Sequence, residues 1–327
     1  MKLNACIFAL MTTALAALPA HALTLKLAGQ YGNDSDDTRD MLVLKKEFED
    51  KTDSDVKVRI FPANQLGDYT QVYEELRRGS IEMALITIPS QFDRNLELPY
   101  IPYLAKDWNE ARRIYSNDSF LFKEMAQLNE KLGVKLLAFQ PAGFGGLGMN
   151  KVPASGLQDP ASDKSDVLIR VPPLAVFAEP IKDVGFKSVS IPWSDTYSAI
   201  QTGVADGWTG GSSILNYETM RDAIKYYWPI NNWFDVRAWL VSEKAWNKLS
   251  EEQRVELQSI TVRLATERMN ANEEVEKEYT RKLAEHGVKI LEVTPEQLDA
   301  YSKHAKEVTW PKLEKIYGAE TMKKLAE

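Results

Sequence analysis

Residues 23–88 contain three apolar segments, LTLKLA (23–28), VKVRIF (56–61) and EMALITI (82–88), that decide the fold class. Each has the alternation or the β-branched content of a strand. Amphipathic helices are predicted between them, one ending near Lys51 and one from Asp68 to Arg78 that Gly79 closes. Strands and helices that alternate at this spacing indicate a parallel sheet covered by helices.

A second unit of the same class follows the glycine-rich stretch from Gly143 to Gly148. Short strands are expected at 168–171 and 188–191, with a helix between them. We therefore expect an α/β fold with two lobes. The lobes are predicted to interleave, with residues 23–142 and 236–275 in lobe I and residues 143–235 and 276–327 in lobe II.

The C-terminal third predicts one helix that is much longer than the others. Ser250-Glu251-Glu252-Gln253 has the spacing of a capping box, and no proline or glycine interrupts the chain before Gly287. A helix of about 35 residues is ~50 Å long at ~1.5 Å per residue, which exceeds one lobe. The apolar positions keep no sustained heptad, which disfavours a coiled-coil arm. We expect this helix to run across both lobes as a brace.

The N-terminus has the pattern of a cleavable secretory signal over residues 1–22. Lys2 precedes an apolar run from Ala5 to Leu18, and Ala20-His21-Ala22 provides a small-residue cleavage site. The run is shorter than the ~20 residues that span a membrane, which disfavours an anchor. Cleavage also removes Cys6, the only cysteine, so the mature chain has no disulfide or thiolate chemistry. We expect an exported, periplasmic protein.

Composition and motif content exclude several function classes. The 327 residues carry 47 acidic and 40 basic side chains, and no clustered basic surface is evident for nucleic acid. Gly143 to Gly148 fits G-x-G-x-x-G, but Pro153 disfavours the helix that a dinucleotide site requires. The mature chain has only His286 and His304 and no Gly-x-Ser-x-Gly, so neither a zinc cluster nor a serine nucleophile is expected. We predict no cofactor and no metal.

One arginine lies inside an apolar strand, in Leu168-Ile169-Arg170-Val171-Pro172-Pro173. A buried guanidinium is destabilising unless it is paired. Its planar fork of donors fits a carboxylate. These residues alone leave open whether the carboxylate belongs to an internal Asp or Glu or to a bound ligand.

A second dense segment runs from Ile191 to Trp208. Ser194 is expected to cap a helix from Asp195 to about Gln201, which puts Trp193 at the N-terminal mouth of that helix. The dipeptide Asp206-Gly207 favours a turn before Trp208.

At these residues the chain resembles the solute-binding proteins of tripartite ATP-independent periplasmic (TRAP) transporters. Arg170-Val171-Pro172 is similar to the family's Arg-Val-Pro segment. Residues 197–207 are similar to its Tyr-x-Ala-Leu-Gln-Thr-Gly-x-x-Asp-Gly motif, with Ile200 in place of leucine. Further matches lie upstream, at Gln65-Leu66-Gly67, Gly79-Ser80-Ile81-Glu82-Met83 and Leu98-Pro99-Tyr100. The likeness covers essentially the whole mature chain.

The resemblance implies a periplasmic binding protein fold whose two lobes close over an organic acid and are braced by a long helix. It implies that Arg170 pairs with the ligand carboxylate and that Trp193 packs on the ligand. It also implies a partner, the membrane permease of a TRAP transporter. The chain departs from the family in having glycines at 145, 146 and 148, where members often have an arginine nearby. It also has Trp208-Thr209-Gly210-Gly211 where Asn-Pro is common.

From these departures we expect a pocket that is less polar and roomier than in a typical member. Our hypothesis is a monocarboxylate with a bulky apolar body, such as an aromatic one, stacked by Trp193 and Trp208 with Phe144 as a third wall. Core packing is the alternative role of each tryptophan. Further candidate ligand contacts lie in loops and at strand ends: Gln30, Tyr31, Asn33, Gln91, Gly210 and Arg237. For Arg237 an exposed surface charge is the alternative.

Other functions stay open on the sequence alone. The alternative ligand is a C4-dicarboxylate or another small carboxylate. The alternative from another class is a secreted lyase or hydrolase, which needs two carboxylates held close together for acid and base roles. A binding module that serves a sensor is a third reading. The motifs favour a binding protein that makes and breaks no bond.

Overall fold

The computed structural model describes residues 23–52 and 55–326, and the predicted signal peptide over residues 1–22 lies outside them. The strands are β1 Leu23–Gly29, β2 Val56–Phe61, β3 Met83–Ile86, β4 Val134–Phe144, β5 Gly146–Met149, β6 Lys164–Val171, β7 Phe186–Ser190, β8 Gly207–Gly211, β9 Tyr226–Trp228, β10 Phe234–Ser242 and β11 Lys289–Ile290. The α-helices are α1 Asp36–Lys51, α2 Tyr69–Arg78, α3 Trp108–Ile114, α4 Phe120–Lys131, α5 Ala175–Asp183, α6 Trp193–Gln201, α7 Ser213–Leu215, α8 Glu243–Trp246, α9 Glu251–Glu285, α10 Pro295–His304, α11 Trp310–Tyr317 and α12 Ala319–Ala326. A 3₁₀ helix covers Arg94–Tyr100, and π-helical turns cover Asn216–Met220 and Ala305–Thr309. Within this described part of the chain, no helix has both the length and the apolar character needed to cross a bilayer.

The strands form two sheets. The first has the order β2-β1-β3-β10-β4, with β1 parallel to β2 and β3, and β10 antiparallel to β3 and β4. The second has the order β11-β9-β5-β8-β6-β7, in which β6 is parallel to β7 and β8. The predicted α/β fold is confirmed, including the parallel pairing of the three segments in residues 23–88.

The chain crosses from the first sheet to the second at Gly145. β4 ends at Phe144 in the first sheet and β5 begins at Gly146 in the second. The chain returns between β9 and β10, where the carbonyl of Trp233 accepts a hydrogen bond from the Gly145 N–H at 2.9 Å. The two crossings are therefore bonded to each other, and the lobes interleave as expected. No helix occurs in residues 150–163, so the glycine-rich stretch lacks the helix of a dinucleotide site.

Helix α9 runs for 35 residues and packs against both sheets. The capping box is formed, since Ser250 accepts from the Gln253 N–H and the Gln253 side chain accepts from the Ser250 N–H. Leu257 and Leu264 pack in the apolar core of the first sheet. Leu283, near the other end of the helix, packs in a core beside the second sheet. The predicted brace is confirmed.

Two local predictions between Ile191 and Trp208 are wrong. α6 begins at Trp193 with Pro192 before it and has no side-chain cap; the Ser194 N–H instead donates to Asp68 Oδ2 at 3.3 Å. Gly207 does not lead into a turn, because it begins strand β8, which pairs with β5 and β6.

Candidate ligand-binding site

A narrow cavity with about 30 Å³ of free space lies between the two sheets. Its walls come from the ends of strands on both sides. The first sheet and the loops after its strands contribute Gln30, Tyr31, Thr87 and Asp235. The second sheet and the helix α6 beside it contribute Arg170, Gly210 and Trp193. Ligands of α/β proteins bind at the carboxyl ends of parallel strands, where the connecting loops meet. The free space is well below the ~300–1,000 Å³ typical of small-molecule sites, so the cavity is tightly closed in this structure.

Arg170 is 2% exposed, and its guanidinium has no carboxylate partner among the described residues. Its Nε donates to the Ile191 carbonyl at 2.8 Å, and no Asp or Glu oxygen of residues 23–52 and 55–326 lies within 4.0 Å of its nitrogens. Burial lowers the pKa of Arg170 to about 10, so it remains protonated at neutral pH. A protonated, desolvated guanidinium beside a cavity is the arrangement that a ligand carboxylate would complete.

Gly210 keeps the space beside this guanidinium open. An ideal Cβ placed on Gly210 would lie 3.7 Å from Nη1 of Arg170 and 3.4 Å from the Trp208 ring. Gly210 also has a φ of +136°, which side-chain-bearing residues rarely adopt. The backbone therefore favours glycine here, whereas a Cβ would make only ordinary van der Waals contacts with Arg170 and Trp208.

Aromatic rings form the wall next to Arg170. Tyr31 and Trp193 meet edge to face with ring centroids 5.3 Å apart, and both line the cavity. Trp208 is fully buried behind Trp193, at 5.7 Å between centroids, and its Nε1 donates to Asn216 Oδ1 at 3.1 Å. Trp193 is thus positioned to contact a ligand, whereas Trp208 supports it.

Arg237 lines a neighbouring cavity that shares Tyr31, and it is 6% exposed and fully paired. Its Nε and Nη2 donate to the two oxygens of Asp37, both at 2.7 Å. Its Nη1 lies 3.4 Å from Asp235 Oδ2, and Tyr31 covers its Cζ at 4.9 Å from the ring centroid. Burial lowers the pKa of Arg237, but Asp37 outweighs burial and holds it well above the ordinary value. The alternative of an exposed surface charge is wrong.

A second, smaller cavity with about 10 Å³ of free space also borders Tyr31 and is lined by charged side chains. Asp36, Asp37, Glu218, Arg237 and Arg268 all contribute to it. Glu218 Oε1 is buried without a hydrogen-bond partner, and burial, with Asp36 and Asp37 nearby, raises the pKa of Glu218 to about 7. Arg268 neutralises Asp36 at 2.9 Å.

Three of the sequence-predicted candidates lie away from the cavity between the sheets. Phe144 is in the apolar core, packed edge to face against Phe234 at 5.0 Å. Asn33 is exposed in the loop before α1. Gln91 is also exposed, and its Nε2 donates to the Thr70 carbonyl at 3.4 Å. The structure therefore brings together Arg170, Trp193, Gly210 and Tyr31, with Arg237 next to them.

The glycines of the crossover make room for tryptophan side chains rather than for a ligand. An ideal Cβ on Gly145 would lie 2.3 Å from the Trp233 ring, and one on Gly148 would lie 2.5 Å from Trp208 Nε1. The expectation that these glycines enlarge the pocket is wrong, because the indoles fill the space that they leave.

Seven cavity residues were not predicted as ligand contacts: Tyr69, Thr87, Tyr100, Pro172, Leu174, Phe177 and Asp235. Two of them, Asp235 and Tyr69, have unused polar atoms. Asp235 precedes Arg237 by two residues, and alternate residues of a strand share a face, so the pair Asp-x-Arg was the available signal. For Tyr69 the sequence contained no signal of a site role, apart from its place at the start of a predicted helix. Its hydroxyl is buried without a hydrogen-bond partner.

Neither of two other features of the described residues is a stronger candidate for a functional site. No group of three or more His, Cys, Asp or Glu in this part of the chain could hold a metal ion. A larger groove of about 700 Å³ runs along the start of α9, but it is open to solvent and Val255 in it is 61% exposed. It contains no buried charged group.

Comparison with known proteins identifies the family. The family model for DctP, the bacterial extracellular solute-binding proteins of family 7, matches residues 28–315. The chain therefore belongs to this family, and the resemblance to TRAP solute-binding proteins is confirmed. The family consists of solute-binding proteins rather than enzymes, so the lyase or hydrolase alternative is set aside.

Individual relatives agree with this assignment. The C4-dicarboxylate-binding periplasmic protein DctP of Vibrio cholerae is 24% identical over 287 residues, which cover 85% of this chain and 82% of that protein. A TRAP periplasmic solute-binding protein from Polaromonas sp. JS666, solved with D-erythronate, has a TM-score of 0.83 at 18% identity and covers 93% of this chain and 98% of its own. One from Haemophilus influenzae with L-gulonate has a TM-score of 0.79 at 24% identity, covering 93% and 98%. These structures share the fold of this chain.

Proposed function

We propose that this chain is the exported solute-binding subunit of a TRAP transporter and that Arg170 binds the carboxylate of an organic acid between the two lobes. Residues 1–22 direct export to the periplasm and are removed. Lobe I comprises residues 23–142 and 236–275, and lobe II comprises residues 143–235 and 276–327, except that the strand ends at 143–144 and 234–235 belong to the first sheet and hence to lobe I. Closed on its ligand, the protein delivers the acid to the membrane permease of the transporter.

One observation carries this proposal: Arg170 is buried, protonated and without a carboxylate partner in the described residues. An unpaired buried charge is destabilising, and a bidentate carboxylate removes that penalty. D-Erythronate and L-gulonate, found in two structures of the same fold, both carry a carboxylate. Trp193 and Tyr31 then cover the ligand from the side, and Gly210 leaves the approach to the guanidinium open.

The cavity favours a smaller and more polar acid than the sequence predicted. Its free space is only about 30 Å³, and polar side chains such as Gln30 and Asp235 line it together with the rings. Trp208 and Phe144, two of the three expected apolar walls, lie outside it. We therefore propose a compact organic acid in place of a bulky aromatic one.

The test begins with the protein purified without its signal peptide. Mass spectrometry of the small molecules released on denaturation should identify an organic acid. Thermal shifts should then be measured with sodium D-erythronate, L-gulonate, succinate and benzoate, and with the uncharged alcohol erythritol. We expect at least one acid to raise the melting temperature, no effect of erythritol, and no effect of that acid on Arg170→Met. If no acid co-purifies and none in the panel binds, or if an acid binds Arg170→Met as tightly as the wild type, the proposal is wrong.

A further inference from the structure

The cavity that Arg170 lines is also lined by Asp235, a carboxylate whose neighbouring cation, Arg237, binds mainly to another carboxylate. Arg237 donates from Nε and Nη2 to Asp37, both at 2.7 Å. Its remaining contact with Asp235 is longer, at 3.4 Å from Nη1 to Oδ2. Two carboxylates thus share one guanidinium, and the closer one takes the bidentate geometry. The negative charge left over is centred on Asp235.

Asp235 has hydrogen-bonding capacity left on the cavity side. Its side chain is 8% exposed and lines the cavity. Among the described residues, Oδ1 accepts no hydrogen bond, and Oδ2 accepts only the long one from Arg237. An ionised carboxylate has about four acceptor sites, so most of those on Asp235 are unused.

The Tyr69 hydroxyl is a second unused polar group on the same cavity. Tyr69 is 2% exposed, and its hydroxyl makes no hydrogen bond with a described residue. Buried polar groups in native structures are nearly always paired, and exceptions need an explanation. A ligand with polar hydrogens on its carbon skeleton would supply partners for both Asp235 and Tyr69.

We propose that Asp235 selects the ligand: the protein binds monocarboxylic acids that carry a hydrogen-bond donor, a hydroxyl or an ammonium group, and it rejects dicarboxylates. This inference rests on the proposed function, since it requires the acid group to be bound at Arg170. The donor on the carbon skeleton then bonds to Asp235, which lines the same cavity. A second carboxylate in that position would face Asp235, and two carboxylates in a site of low dielectric repel each other.

Calorimetry with matched four-carbon acids tests the proposal on the wild-type protein. The probes are D-erythronate, which carries hydroxyls, 4-aminobutyrate, which carries an ammonium, butyrate, which has no donor, and succinate, which has a second carboxylate. Because a hydrogen bond to a charged group is the stronger kind, we expect a donor-bearing acid to bind at least ~10-fold tighter than butyrate and succinate. D-Erythronate and 4-aminobutyrate separate the hydroxyl from the ammonium. Tighter binding of butyrate or succinate than of both donor-bearing acids overturns the proposal without any variant.

The variant Asp235→Asn assigns the selection to this residue. Arg237 keeps its bidentate partner Asp37, so we expect the variant to fold, as a thermal melt would show. The preference for the donor-bearing acid over succinate should fall at least ~10-fold. Asp40→Asn is the matched control, because Asp40 is a buried aspartate that pairs with Arg268 at 2.7 Å and lies outside the cavity. It should keep the wild-type order of affinities.

The two proposals fail in different ways. If Arg170→Met binds all four acids like the wild type, the proposed function is wrong. If Arg170→Met loses binding while Asp235→Asn retains the wild-type order, the assignment of selection to Asp235 alone is wrong. Should Asp235→Asn not fold, Tyr69→Phe removes the second polar partner without a charge, and an unchanged preference for D-erythronate over butyrate in that variant would count against the proposal.

Discussion

Arg170 and Arg237 are two buried arginines on strands that border the same region, yet their surroundings are opposite. They are 2% and 6% exposed, respectively. Arg237 holds Asp37 through two hydrogen bonds of 2.7 Å and has Asp235 nearby. Arg170 has a backbone carbonyl and no carboxylate within the described residues. The pKa of Arg237 is raised well above its ordinary value, whereas burial lowers that of Arg170 to about 10.

This difference shows that burial alone does not distinguish a structural arginine from a ligand-binding one. A paired arginine stabilises the fold, since its charge is neutralised by carboxylates that need it in turn. An unpaired arginine keeps its binding capacity for another molecule. Counting partners therefore gives Arg237 a role in the fold and supports our proposal that Arg170 binds the ligand.

Replacing Arg237 should have the largest effect on stability. Arg237→Met leaves the buried carboxylates of Asp37 and Asp235 without their cation, and breaking a buried pair in this way costs about 3–5 kcal/mol. Urea unfolding followed by circular dichroism should show this loss in the free energy of unfolding. A variant as stable as the wild type would show that Arg237 is not the structural member of the two.

The same substitution at Arg170 should have the opposite effect on the ligand-free protein. Arg170→Met removes a desolvated charge that has no partner, so the free energy of unfolding should stay equal or rise. Affinity for the co-purified acid should fall by about 3–5 kcal/mol, which is roughly 100-fold to more than 1,000-fold. Calorimetry on ligand-free protein measures the second quantity. A loss of less than about tenfold, with the fold intact, would remove Arg170 from the carboxylate role.

The pKa of Glu218 tests how acidic the second cavity is, which Glu218 and Arg237 both line. That pKa is raised from 4.5 to about 7 by burial and by Asp36 and Asp37, so the folded state binds more protons than the unfolded state between these values. Wild-type stability attributable to Glu218 is therefore present at low pH and is lost as the pH rises from about 4.5 to 7. Glu218→Gln should be more stable than the wild type by on the order of 1–3 kcal/mol at pH 8, and the difference should vanish near pH 4. Thermal melts across this range check it, and a difference that does not change with pH would contradict the assignment.

Two tyrosines of α2 repeat the comparison on a smaller scale. The Tyr69 hydroxyl has no partner, whereas the Tyr73 hydroxyl donates to Asn129 Oδ1 at 2.7 Å. Tyr73→Phe should lower the free energy of unfolding by about 1 kcal/mol and leave affinity unchanged. Tyr69→Phe should leave the unfolding of the ligand-free protein unchanged and weaken binding by about 0.5–1.5 kcal/mol, or roughly 2- to 10-fold. Equal effects of both changes on affinity would mean that Tyr69 does not contact the ligand.

The sequence predicted the features of the fold that depend on local patterns. The capping box at Ser250 and the uninterrupted chain after it predict α9, and the apolar segments from Leu23 predict the parallel strands. Strand β8 was missed because glycine is a poor strand former. It forms here because Gly211 accommodates the Trp208 ring, where an ideal Cβ would lie 2.4 Å away.

For the site, the sequence could indicate which residues need partners but not which ones have them. Arg170 inside an apolar strand signals a buried charge. Its lack of a carboxylate depends on the whole fold. Arg237 finds its main partner Asp37 at 200 residues' separation, and no local pattern connects the two. Asp235 was overlooked for the same reason, since its unused acceptor atoms follow from how Arg237 is shared.

The crystal structure of the protein with its co-purified acid tests the central claim most directly. We expect both terminal nitrogens of Arg170, or one together with a neighbouring donor, to lie about 2.7–2.9 Å from the ligand carboxylate, while Arg237 keeps its two hydrogen bonds to Asp37. An acid bound by Arg237 instead, with Arg170 turned toward a protein carboxylate, would contradict the account.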